Sequence, residues 1–192
     1  MKNLVTGGIT AALFTMGLMT SAHAWTLNND SSRISFGSVK KDVVGESHSF
    51  QSINGSVSKK GEISIEIDLA SIETNIDIRN ERMLEHVFKG IATATLTAEL
   101  DMEEVDGLAV GDSTITEIEG VLSFLGVEVE VEAEMFVVRI AENRVLATTN
   151  DMVYVSTEDL GIDAGVDKLM ELAKLPGITR TTPITARLVF DN

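Results

Sequence analysis

Four glutamates at alternate positions, Glu128, Glu130, Glu132 and Glu134, form the densest run of potential ion ligands or acid–base groups in this 192-residue chain. Residues two apart on a strand share a face at a spacing of roughly 7 Å. That is too far for several carboxylates to share one calcium ion without a loop. The intervening Val127, Val129, Val131, Ala133 and Met135 take the opposite face, so a solvated outer surface accounts for the ladder. A hydrolytic carboxylate pair needs two groups in a cleft with divergent pKa values, and no spacing among the 30 Asp and Glu residues singles one out. The histidines, His23, His48 and His86, show neither His-x-His nor His-x-x-x-His spacing. Gly120-Val121-Leu122-Ser123-Phe124 departs from the Gly-x-Ser-x-Gly pattern of an exposed serine nucleophile. The chain has no cysteine, which removes disulfides, thiolate metal sites, haem attachment and thiol nucleophiles together. No catalytic residue, no metal site and no cofactor of reaction is therefore expected.

Three polar residues keep two readings each. His48 shares a strand face with Phe50. It is either a packed histidine with one hydrogen-bonded nitrogen or a polar group in an apolar cavity that fixes a ligand's headgroup. Arg79 and Arg82 either tie a short helical segment to the rest of the fold through carboxylates and free carbonyls, or place a guanidinium at a cavity mouth.

The elements that must position these residues are mostly strands. Ile63, Ile65, Ile67 and Leu69 alternate with Glu62, Ser64, Glu66 and Asp68, the pattern of a strand with one dry and one wet face. Ala92, Ala94, Leu96, Ala98, Leu100 and Met102 alternate with Thr93, Thr95, Thr97, Glu99 and Asp101 in the same way. Further strands are expected at Trp25–Leu27, Ile34–Phe36, around His48–Phe50, Ser113–Phe124, Val127–Val138, Arg144–Thr149, Met152–Ser156 and Thr182–Phe190. Asn54-Gly55 is a hairpin-turn candidate, and Gly120 predicts a bulge or bend. Two short helices interrupt the strands. One is Asn80–Phe88. The other starts at Asp163 as its cap, carries Val166, Leu169, Met170 and Ala173 at i, i+3, i+4, i+7, and stops at Pro176-Gly177. Many short strands with few helices predict a sandwich or barrel, and a closed barrel removes exposed edges.

The start of the chain has the form of a secretory signal: a basic Lys2, an apolar run from Leu4 to Met19, and a small-x-small end at Ala22-His23-Ala24. Residues 1–24 are expected to be removed, leaving residues 25–192 as one domain in the periplasm, with no stable membrane insertion after cleavage. A net charge of −15 repels phosphate backbones, so nucleic acid is not an expected partner. A homodimer stays open.

Gly45–Phe88, with Ser71-Ile72-Glu73-Thr74 followed by Ile78-Arg79-Asn80-Glu81-Arg82-Met83, resembles the YceI-like family of small secreted bacterial proteins. The similarity continues through Ala92-Thr93-Ala94-Thr95, Gly120–Val127 and Asp159–Thr185, nearly the whole chain beyond the leader. Two positions depart from common members: Arg82-Met83 stands where many have a histidine, and Gly90-Ile91-Ala92 where many have Tyr-Pro. The resemblance implies an all-β, lipocalin-like antiparallel barrel of about eight strands with one or two short helices. It also implies an apolar lipid as partner, a polyisoprenoid or quinone-like molecule bound without chemistry. Taken with the dry faces, it makes Phe36, His48, Phe50, Ile65, Ile67, Leu96, Val129, Val131 and Met170 the expected ligand contacts. Ala92, Ala94 and Ala98 would leave room for a tail. The alternatives are a hydrolase acting within the barrel and a ligand-free, stress-linked interaction protein with a filled core.

Overall fold

The computed structural model describes residues 23–192. The expected leader therefore lies outside the described residues, except for the backbone of His23 and Ala24. Twelve strands occur among the described residues: β1 (His23–Leu27), β2 (Arg33–Lys40), β3 (Val44–Phe50), β4 (Ile53–Ser58), β5 (Glu62–Asp68), β6 (Ile72–Glu73), β7 (Thr93–Glu99), β8 (Ser113–Phe124), β9 (Val127–Ala141), β10 (Arg144–Thr149), β11 (Val153–Ser156) and β12 (Thr181–Asp191). β1, β4, β5, β7, β8, β9, β10 and β12 pair antiparallel in that order, and β1–β12 pairing closes the ring. The result is an eight-stranded antiparallel barrel. Its outward positions carry the acidic and threonine faces expected from the alternation, so the exterior is wet rather than lipid-facing.

β12 organises the wall. Its final residues pair with β10 and β1, while its first half pairs with β11 and β2. β1 with β2, and β10 with β11, thus behave as two bent strands laid along one long neighbour. β2, β3 and β6 carry that side of the wall beyond the ring.

Strand directions sort the connections to two ends. One end holds the β2–β3 turn, the β8–β9 turn, and the helices α1 (Asp77–Arg82) and α3 (Asp163–Ala173). The other holds the short α2 (Glu103–Asp106), which buries Val105. α1 runs directly into a π-turn, Met83–Val87, so the single helix expected over Asn80–Phe88 is two pieces beginning three residues earlier. α3 packs on that turn through Gly165. A Cβ there would lie 2.6 Å from the His86 carbonyl oxygen and 2.8 Å from the Val87 Cα, so only glycine allows the contact.

Three local expectations are corrected. Asn54-Gly55 is not a turn but lies inside β4, where a Cβ on Gly55 would meet the Ser64 carbonyl oxygen at 3.0 Å. The glycine permits close approach of two strands. Gly120 sits in unbroken register opposite Val131, with no bulge; its missing side chain admits β7, since a Cβ would lie 2.8 Å from the Thr97 carbonyl oxygen. Asp163 is the first helical residue rather than the cap, which is Ile162. The Asp163 carboxylate instead accepts from the Thr157 hydroxyl and faces Arg180. Lys174 stops α3 in the left-handed conformation at φ 52°, ahead of Pro176.

Candidate functional site

The dry faces of the barrel do not fill its interior. They enclose a cavity of about 460 Å³, lined by inward residues of the barrel strands and by α3 and the α1 segment. This volume lies within the range of about 300–1,000 Å³ common for small-molecule sites. Small residues make the room. Ala94 and Ala98 of β7 line the cavity, and Gly120 stands beside Ala98 across the β7–β8 ladder. Ala92, expected on the same face, is exposed and lies ahead of β7.

Of the expected contacts, Phe36, His48, Phe50, Ile65, Ile67, Leu96 and Val131 line the cavity. Val129 and Met170 do not. Val129 sits near the β8–β9 turn, packed against the buried core beside the cavity. Met170 is turned aside, its sulfur 3.5 Å from a terminal nitrogen of Arg180. The apolar stripe of α3 meets the cavity through Val166, Leu169 and Ala173 instead. Both departures have one cause: a periodic face is wider than the part of it that reaches the void.

An aromatic band crosses the helix-bearing end of the barrel. Phe36 stacks on Phe50 at 5.4 Å between centroids, Phe50 meets Phe88 at 6.1 Å, and Phe88 meets Phe124 edge-on at 6.0 Å. Trp25 lies in the wall toward the other end, with the Arg139 guanidinium 5.5 Å from its ring centroid.

The charged residues that line the cavity, Lys40, Glu46, Arg79 and Arg82, and the buried His48 lie on β2, β3 and α1. Arg79 donates to Glu46 at 2.7 Å and to the Thr74 carbonyl, and Lys40 donates to Glu46 at 2.8 Å. Burial works to raise the Glu46 pKa, but the hydrogen bonds from Arg79 and Lys40 outweigh it and hold the carboxylate below its ordinary value. His48 is only 4% exposed. Its Nε2 lies 3.1 Å from the Ser38 hydroxyl, and its Nδ1 has no hydrogen-bond partner among the described residues. Burial, reinforced by the nearby Arg79 charge, lowers its pKa to about 4, so the ring is neutral at physiological pH. Both readings of Arg79 hold together: it ties α1 to β3 and it lines the cavity, as does Arg82. Glu46 escaped the sequence reading. Its signal was its position two residues before His48 on one strand, hence on the same face.

The motif after β5 has a structural task. Ser71 accepts from the backbone N–H groups of Gln51 and Ser52 and donates to the Asp68 carbonyl, pinning the β3–β4 corner. Thr74 is almost wholly buried and donates its hydroxyl to the Asn80 side chain, whose oxygen also accepts from the Thr74 N–H. These bonds fix α1 and bring Arg79 to the cavity.

Where the cavity meets solvent is set by residues that both line it and are exposed: Ile76, Ile78, Ala173 and Thr179. All belong to the end that carries α1 and the α3 C-terminus. There the Thr179 hydroxyl accepts from the Val39 N–H at 3.0 Å, which joins the segment after α3 to β2.

Among known proteins, a family model described as a YceI-like domain matches residues 25–190. No curated protein matches the sequence. A solved structure of a polyisoprenoid binding domain from Saccharophagus degradans, implicated in plant cell wall breakdown, is 31% identical, with 88% of this chain and 99% of that chain covered and a TM-score of 0.86. The crystal structure of Burkholderia cenocepacia BcnA shares the fold at 16% identity, covering 85% of this chain and 98% of that one, with a TM-score of 0.66.

Proposed function

Since the chain belongs to the YceI-like family, we propose that it binds a long apolar lipid, a polyisoprenoid or quinone-like molecule, inside the barrel and performs no chemistry on it. The observation that carries this reading is the continuous apolar cavity of about 460 Å³. A tail in water costs roughly 0.8 kcal/mol per exposed CH₂, and a lining of aliphatic and aromatic side chains removes that cost. The polyisoprenoid binding domain, at 31% identity, supports the ligand class. A filled core, as the ligand-free reading requires, is hard to reconcile with a void walled by Ala94, Ala98 and Gly120. The polar groups are suited to holding rather than to proton transfer: Glu46 is engaged by two cations and His48 is neutral well below pH 7. We further propose export to the periplasm, with the leader removed after Ala24; the family match begins at residue 25.

The test is organic extraction of natively purified protein followed by mass spectrometry. The expected result is an isoprenoid lipid in near-stoichiometric amount. An empty extract, together with no uptake of added polyprenol or quinone, would sink the proposal.

A further inference from the structure

The cavity mouth is surrounded by aliphatic residues that the barrel does not cover. Val43, at the tip of the β2–β3 turn, is 82% exposed, and Ile78 is 50% exposed. Val44 and Ile76 are also exposed. Their places in the fold are linked. Val44 continues the inward stripe of β3, two residues beyond Glu46. Glu46 holds Arg79, which lies next to Ile78 on α1. The N–H of Lys41 donates to the Gly177 carbonyl, and the Val39 carbonyl accepts from the Thr179 N–H, so the turn is bound to the segment leaving α3. Outward from the cavity, the order is therefore apolar wall, polar ring of Ser38, Lys40, Glu46 and Arg79, then apolar rim. A ligand's headgroup does not explain the outermost layer.

The charge of the rim sets it apart. Segments 40–46, 75–79 and 173–179 carry four cations, Lys40, Lys41, Arg79 and Lys174, against three anions, Asp42, Glu46 and Asp77. The chain as a whole is formally −15. The mouth is thus close to neutral on a molecule that elsewhere repels anionic surfaces. Exposed apolar side chains beside a lipid-sized cavity, on a nearly neutral face, match the interfacial layer of a zwitterionic bilayer.

We propose that this rim docks reversibly on a zwitterionic lipid bilayer, so that the ligand passes between membrane and barrel without crossing water. The proposal rests on the lipid-binding reading above. Docking by the rim shortens the aqueous path of the tail, since Ile76 and Ile78 belong at once to the rim and to the cavity wall.

The experiment uses the protein loaded with a polyprenol, phosphatidylcholine vesicles, and two variants. Val43→Asp places a charge at the rim outside the cavity lining. Val110→Asp does the same at the other end of the barrel, where Val110 is exposed between α2 and β8. Vesicle flotation and lipid transfer to acceptor vesicles are measured beside the lipid content of the purified protein. V43D is expected to slow transfer and weaken flotation about tenfold with lipid content unchanged, and V110D is expected to match wild type. Equal effects of both variants, or none from V43D, would overturn docking by this face. So would association that requires anionic lipid, or a dimer abolished by V43D with no vesicle binding, which would make a second copy the occupant. A wild-type protein that carries no lipid at all would instead overturn the ligand reading, a distinct failure.

Discussion

Replacing Ala98 by Trp separates an open barrel from a filled one. Ala98 projects into the cavity from β7, paired with Ile63 on one side and Gly120 on the other. The glycine makes this the lowest stretch of the wall. If the cavity is open, an indole rooted at Ala98 enters it without moving backbone, occupies space otherwise available to a tail, and displaces lipid. Burial of new apolar surface then leaves the stability of the lipid-free protein level or raised by about 1 kcal/mol, which for a domain of this size is about 2–4 °C in Tm. If neighbouring side chains already close the space, the change overpacks the core at a cost of about 1–3 kcal/mol, a fall of about 2–12 °C. Bound lipid confuses the comparison, because a ligand at a hundred times its Kd adds about 2.7 kcal/mol by mass action. The melts must therefore be run on delipidated protein, with lipid per mole of native protein measured separately. The expected outcome is lost lipid with Tm held. Unchanged lipid content with Tm lowered by more than about 6 °C would refute the open barrel.

Three further outcomes are expected. The His48 pKa is lowered in the fold to about 4 from 6.5, so its contribution is present above pH 6.5 and is lost as pH falls toward 4; at about 1.4 kcal/mol per pKa unit this amounts to at most about 3.5 kcal/mol, and a His48→Phe variant should flatten that window in pH-dependent denaturation. Arg79→Ala leaves Glu46 with Lys40 as its one remaining cation and the Thr74 carbonyl without its donor, which should lower stability by about 1–3 kcal/mol and loosen α1, seen as faster amide exchange at residues 76–82; intact protection there would contradict the tethering role. Leu169→Ala should speed lipid release measured by fluorescence, whereas Met170→Ala should leave it unchanged, because only Leu169 lines the cavity; the reverse pattern would show that the helix face has been misassigned.

The strands were legible because each has one wet and one dry face, and the period of two registers directly in the pairing: Ile63, Ile65 and Ile67 stand opposite Ala98, Leu96 and Ala94. Glycines were less legible. Asn54-Gly55 and Gly120 suggested a turn and a bulge, yet both glycines serve interstrand contact, with imagined Cβ atoms 3.0 Å and 2.8 Å from carbonyl oxygens of neighbouring strands. A glycine's sequence context reports that a side chain is excluded. It does not report whether the cause is its own backbone angles or a neighbour's atoms. The π-turn at Met83–Val87 was hidden for a related reason. Its widened turn packs under α3 at Gly165, nearly eighty residues away in sequence, and local periodicity holds no trace of that partner.

The site followed the same division between local and distant causes. Alternation put Phe36, His48, Phe50, Ile65, Ile67, Leu96 and Val131 on dry faces, the family resemblance implied a cavity behind those faces, and these residues line the cavity that the structure contains. Alternation assigns a face, however, and not a depth. Val129 shares the face of Val131 but sits at the β8–β9 end, where it packs against the core beside the void. Depth depends on what closes the barrel, and that is decided by α1 and α3. Their placement depends in turn on Thr74 bonding Asn80, Arg79 bonding Glu46, and Gly165 meeting His86. Each of these contacts joins residues whose types are ordinary taken singly. The Ser-Ile-Glu-Thr motif that drew attention in the sequence is thus informative about the ligand only indirectly: it holds the closing helix in place, and the helix, with its neighbour α3, decides where the cavity ends and opens.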